Sequence, residues 1–118
     1  MSSEAVLVIV DDKATRDSLQ MFLTFEGFII SSSKCGADAL DVTRKKRFDV
    51  LLICYRILEI NGDELMRQLR SRCPDSFIIG FGIESKGQAF LRAGADAFVR
   101  KDKVVHELVP LIRNRIRR

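Results

Sequence analysis

At 118 residues the chain has the length of one domain, expected to span 1–118, and its 47% apolar and 31% charged composition is that of a globular protein rather than a disordered or fibrous one. No apolar run approaches the ~18 residues of a membrane span, and the amino terminus lacks the basic stretch and long apolar core of an export signal, so a cytoplasmic location is expected. Three cysteines without a CxxC pair and a lone His106 argue against a disulfide framework and a zinc site, and the net charge of +4 is modest.

Ala5 to Val10 is a continuous, valine-rich apolar run, the pattern of a strand buried on both faces, and it ends at Asp11 and Asp12. From Lys13 to Glu26 the residues Ala14, Leu19, Phe22, Leu23 and Phe25 fall mostly at helical spacing, and Gly27 supplies the left-handed residue that often follows a helix end. Phe28 to Ser32 is a shorter, more polar strand, placed nearer an edge. Ala37 to Lys46 is a second helix, closing in the cluster Arg44, Lys45, Lys46 and Arg47.

Phe48 to Cys54 is the third strand, carrying an uninterrupted apolar run from Val50 to Ile53. A loop is expected after it, closing at the turn dipeptide Asn61-Gly62, with a third helix from Asp63 to Arg72 and Pro74 beyond its end. Phe77 to Phe81 is a fourth strand, where Gly80 and Gly82 mark a bend or a close backbone approach. A short helix over Ser85 to Ala93, a strand at Ala97 to Val99 and a helix from Val104 onward complete the chain. Pro110 lies inside that last helix and predicts a kink, since it removes a backbone hydrogen bond at a cost of ~3 kcal/mol in a straight helix. The basic clusters at Arg44 to Arg47 and at Arg113, Arg115, Arg117 and Arg118 read first as solvated helix ends that complement the helix dipole. Direct nucleic-acid binding is not expected, because no aromatic interleaving accompanies them.

Strict alternation of strand and helix predicts an α/β fold, a doubly wound five-stranded parallel sheet with helices on both faces and right-handed crossovers. Ligands bind such sheets outside the carboxyl ends of the strands. The first, third and fifth strands deliver Asp11 and Asp12, Cys54, and Lys101 to that rim.

At these residues the chain resembles, over nearly its whole length, the receiver domain of two-component response regulators, a flavodoxin-like (βα)5 fold. VLVIVDDK matches the family's acidic pair after strand one, AGADAFVRK its lysine after strand five, and NGDEL the turn after its phosphoacceptor. The resemblance implies a domain that takes a phosphoryl group from a histidine kinase onto an aspartate after strand three. It further implies Mg²⁺ held by carboxylates and a backbone carbonyl, here that of Arg56. Phe98, three residues before Lys101, matches the aromatic switch position.

Two positions depart from the pattern. Counting back eight residues from Gly62 puts Cys54 where the acceptor aspartate belongs, and aligning PDSFIIGFGI puts Gly82 at the Ser/Thr switch position. Leu58 and Glu59 also replace the Pro and Gly of the family's loop. A thiol is a soft ligand ill-suited to Mg²⁺ and forms no acyl phosphate. The expectation is therefore a response-regulator domain in phosphorelay signalling that is incompetent for phosphorylation and is not an enzyme. Asp11 and Asp12 are the remaining carboxylate ligands, binding Mg²⁺ weakly at most, and no other cofactor is expected. Each also has a structural reading: Asp12 caps the first helix, and Asp11 pairs with Lys101.

Protein contacts then carry the signal. The family's face of helix four, strand five and helix five is the expected surface for a partner or a second copy, with Phe81, Phe90 and Phe98 setting its shape and Gly80, Gly82 and Gly87 making it pliable. A histidine kinase is an implied partner, although the missing acceptor argues against phosphotransfer from it. Two alternatives stay open: a thiol-based redox sensor at Cys54, whose acidity Lys101 raises and Asp11 and Asp12 lower, and a phosphoacceptor that uses an unconventional residue.

Overall fold

The apolar runs form the interior of one parallel sheet. The computed structural model describes residues 4–116, apart from the side chains of residues 59–62 and 116, so Arg117 and Arg118 of the last basic cluster lie outside the described residues. The strands are β1 (Ala5–Ile9), β2 (Ile29–Ser33), β3 (Val50–Cys54), β4 (Phe77–Gly82) and β5 (Ala97–Arg100), in the order β2-β1-β3-β4-β5. They alternate with the helices α1 (Lys13–Phe25), α2 (Gly36–Lys45), α3 (Tyr55–Arg72), α4 (Gly87–Ala93) and α5 (Val104–Ile116). Single 3₁₀ turns, Glu84–Lys86 and Lys101–Lys103, lead into α4 and α5.

Alternation along each strand divides the core in two. Val6, Val8, Leu52, Ile79 and Phe81 face one side with Leu19 and Leu23 of α1 and Leu108 and Ile112 of α5. Leu7, Ile9, Leu51, Ile53 and Ile78 face the other, with Ala39 of α2, Met66 and Leu69 of α3 and Phe90 of α4. Central strands covered on both faces must be apolar at every position, which is why these runs do not alternate. The ends of α1 follow the sequence closely: Asp12 caps it, and Gly27 stands beyond it at a φ of 99°, a left-handed conformation that a side chain would strain.

The loop expected between Cys54 and Asp63 is instead the first two turns of α3. Ile57 and Leu58 are buried with Leu65, Met66 and Leu69 on one helical face, and no proline stands between Tyr55 and Arg72 to end the helix. Burying two such side chains is worth roughly 1.5–3 kcal/mol each, which outweighs the ~1 kcal/mol cost of Gly62 inside a helix. Pro110 lies within α5 on its exposed side, so the carbonyl of His106 that it deprives of a donor falls on the solvent side.

Candidate functional site

β1 connects outward to β2, while its other neighbour, β3, continues toward β4 and β5; this reversal opens a crevice at the carboxyl ends of β1 and β3. A cleft of about 500 Å³ lies there, and its lining includes Asp11, Asp12, Cys54, Arg56, Gly82 and Lys101. All five positions matched to the family's site, and the residue expected to lend its carbonyl, thus meet at one place. Phe98 is half-buried behind the cleft and does not line it.

Both carboxylates are engaged locally. Asp12 accepts hydrogen bonds from the Thr15 hydroxyl at 2.6 Å and the Thr15 amide at 2.9 Å, the cap expected of it. Those bonds, the hydroxyl's first, hold its carboxyl below the ordinary range. Asp11 does not pair with Lys101 as expected. Its Oδ2 lies 3.2 Å from Nε of Arg56, and its Oδ1 accepts from the Cys54 thiol at 3.9 Å. The extension of α3 explains the exchange: it puts Arg56 in the first helical turn beside the end of β1, while Lys101 stays exposed in its 3₁₀ turn.

That same turn alters what Arg56 offers. Carbonyls of an α-helix point toward its carboxyl end, so the Arg56 carbonyl is directed down α3 and away from the cleft that its guanidinium enters. The donors at the rim are therefore a thiol, a carboxylate ion-paired to Arg56 and a carboxylate bonded to Thr15. This set does not fit Mg²⁺, which requires several free oxygen ligands in octahedral geometry. Among the described residues no group of three His, Cys, Asp or Glu side chains converges as a metal-binding set.

Cys54 is half-buried at the amino terminus of α3. Burial pushes its thiol above the ordinary value of 9.0, and the charge of Asp11 adds to the rise. The amides of Arg56 and Ile57 and the Arg56 guanidinium pull the other way. The balance left open by the residue types alone falls on the side of a protonated thiol.

Sequence reasoning named Phe90 and Phe98 but missed Tyr55, which joins them in a group of rings beside the cleft. Tyr55 packs edge-on against Phe90 at 5.8 Å, and Phe90 lies 5.6 Å from Phe98. The glycines nearby make room for them. A Cβ on Gly80 would overlap the Phe90 ring, one on Gly87 would lie 3.0 Å from Phe98, and one on Gly82 would lie 3.3 Å from Cβ of Tyr55. None of the three has a positive φ, and the close backbone approach expected at Gly80 and Gly82 accounts for them and for Gly87. Lys86 sits 4.8 Å above the Tyr55 ring, at the cleft.

The residues expected to shape the partner face divide differently. Phe81 belongs to the core on the α1 and α5 side, opposite Phe90 and Phe98. Phe90 and Leu108 are fully buried, while Leu91 of α4 and Val105 of α5 are exposed.

A family model described as response regulator receiver domain matches residues 6–113. Response regulator MprA of Mycobacterium bovis is 34% identical over 119 residues, which cover 98% of this chain and 52% of that protein. The chain spans about half the length of the curated relatives it matches. Among solved structures, the receiver domain of the TMAO respiratory system response regulator TorR is 28% identical, with a TM-score of 0.83 over 96% of each chain. The receiver domain of a sensor histidine kinase from Pseudomonas aeruginosa, solved with a magnesium ion coordinated in its active site cleft, shares the fold with a TM-score of 0.85 at 18% identity. That match covers 96% of this chain and 97% of the other. Among the described residues no helix is long and apolar enough to cross a membrane.

Proposed function

Because the chain belongs to the response regulator receiver family, whose members act in two-component signalling, we propose that it is a receiver that carries no phosphoryl group at position 54 and signals through protein contacts. The observation that carries this reading is the Arg56–Asp11 ion pair beside the Cys54 side chain, which stands where an acceptor carboxylate would. It combines a missing oxygen nucleophile with a cation already on the carboxylate that a metal would need. Gly82 supports it from a third direction: it offers no hydroxyl, and Tyr55 crowds the space a side chain there would enter. No catalytic role is assigned to any residue of the cleft.

The thiol-sensor alternative loses support, since a reactive cysteine is one whose thiolate is favoured. The face of α4, β5 and α5 is retained as the partner or homodimer surface, with Leu91 and Val105 as its exposed apolar residues in place of the buried Phe90. A histidine kinase remains a candidate partner by contact.

The test is mass spectrometry after incubation with acetyl phosphate and Mg²⁺. No phosphate adduct is expected. An acid-labile adduct on the chain would overturn the proposal and favour an unconventional acceptor.

A further inference from the structure

We propose that a second copy of this chain docks on the outer side of α1, in a symmetric antiparallel pairing that seats Phe25 of each copy in the hollow beside Ala14 of the other. The sequence of the helix sets this up. Leu19 and Leu23 bind α1 to the sheet, while Ala14, Ser18, Met21 and Phe25 recur four, three and four residues apart along the side turned to solvent. That spacing averages ~3.5 residues, the period at which one helix packs lengthwise on another. Phe25 is 87% and Met21 75% exposed, more than any other large apolar side chain among the described residues. Single exposed apolar residues are ordinary, but two adjoining ones on a helix whose own packing uses neither mark a contact.

Side-chain size identifies what the contact is with. Along the stripe the residues grow from Ala14 and Ser18 to Met21 and Phe25, so one end is a hollow and the other a ridge. The hollow, of about 330 Å³, opens between Ala14, Ser18 and Leu19 of α1 and Val104 and Val105 of α5. Ser18 also lines the groove beside the ridge, so the two features share one continuous face. A two-fold axis between Ser18 and Met21 sets ridge on hollow twice over, Met21 on Ser18 and Phe25 on Ala14, large against small. Charge agrees with that direction. Lys13, paired with Asp17, stands at the hollow end, and Glu26, paired with Arg113, at the ridge end. Antiparallel copies therefore bring Lys13 toward Glu26, whereas parallel ones would set Lys13 against Lys13. The face is small beside the ~800 Å² per partner of a stable dimer, so the pairing is weak and reversible. Its centre is on α1, apart from α4 and β5, and it makes no use of position 54.

The test is sedimentation equilibrium of the full chain over a concentration series, with circular dichroism to confirm the fold of each variant. A monomer–dimer equilibrium is expected for the parent. Phe25→Gln removes the ridge and Ala14→Arg fills the hollow; both positions are exposed, and each change should weaken self-association by about tenfold or more with the fold intact. Leu91→Gln, on α4, should not. Mixing the two α1 variants is the decisive arm. One keeps its hollow and the other its ridge, so the mixture should form a heterodimer tighter than either variant's own pairing. A parent that stays monomeric into the millimolar range would overturn the proposal and leave this face to a different protein. Dimers that both α1 variants leave intact, or a mixture that associates no better than its parts, would overturn it as well. None of these readings needs a phosphodonor, so their failure is separate from that of the phosphorylation reading, which a covalent adduct decides.

Discussion

Arg56 Nε and Asp11 Oδ2 lie 3.2 Å apart, joining the first turn of α3 to the end of β1 across the crevice. The Arg56 side chain is 72% exposed, so the pair contributes only about 0–1 kcal/mol to stability. Its effect on ligands should be larger. Arg56→Ala is expected to leave the denaturation midpoint nearly unchanged and to raise Mg²⁺ affinity by freeing Asp11, as read by calorimetry; unchanged affinity would show that the guanidinium does not compete with metal.

Gly80→Ala should destabilise the fold, because the new methyl would overlap the Phe90 ring. Overpacking of this kind costs roughly 1–3 kcal/mol. Combining it with Phe90→Leu is expected to recover part of the loss, so that the double variant falls short of the sum of the two single effects in urea denaturation. Strict additivity would mean the two positions do not press on each other.

The raised Cys54 pKa gives a pH dependence with a definite sign. The folded state disfavours the thiolate, so the stability this contributes is fully present below the unfolded value near 9.0 and is lost as pH rises through the folded value. Modification by a thiol reagent should be slower at neutral pH than that of an unstructured cysteine. Asp11→Asn should accelerate it, since the carboxylate that opposes ionisation is gone.

Two substitutions separate core from surface on the α5 side. Leu108 is fully buried, and Leu108→Ala is expected to cost about 2–5 kcal/mol through the cavity it leaves. Val105 is 66% exposed, and Val105→Lys should leave stability within about 0.5 kcal/mol. If this face docks a partner or a second copy, sedimentation or pull-down should respond to Val105→Lys at unchanged stability; no response would move the interface elsewhere.

The fold was legible because the core strands announce themselves: Val6 to Ile9 and Val50 to Ile53 are apolar at every position, and only a doubly covered sheet requires that. Asp12 was legible as a cap because capping is a local matter between residues three apart. The reach of Arg56 was not, since it depends on whether residues 55–62 are loop or helix. Asn61-Gly62 signals a turn, and the weight of Ile57 and Leu58 against it appears only when the core that receives them is known. The place of Tyr55 beside Phe90 failed to show for a similar reason. Gly80 and Gly82 were legible as a close approach, but which rings approach them appears only in three dimensions.

The fit of Phe90 against Gly80 also bears on how this region opens. At seven residues α4 is too short to persist as a helix on its own, so its amides are protected from solvent exchange only while the ring stays seated. Withdrawing that ring would leave a void against β4 and strip Phe98 of its neighbour on β5. α4 and the β4–β5 edge should therefore exchange deuterium as one unit, at a rate set by a single opening event that Phe90 gates.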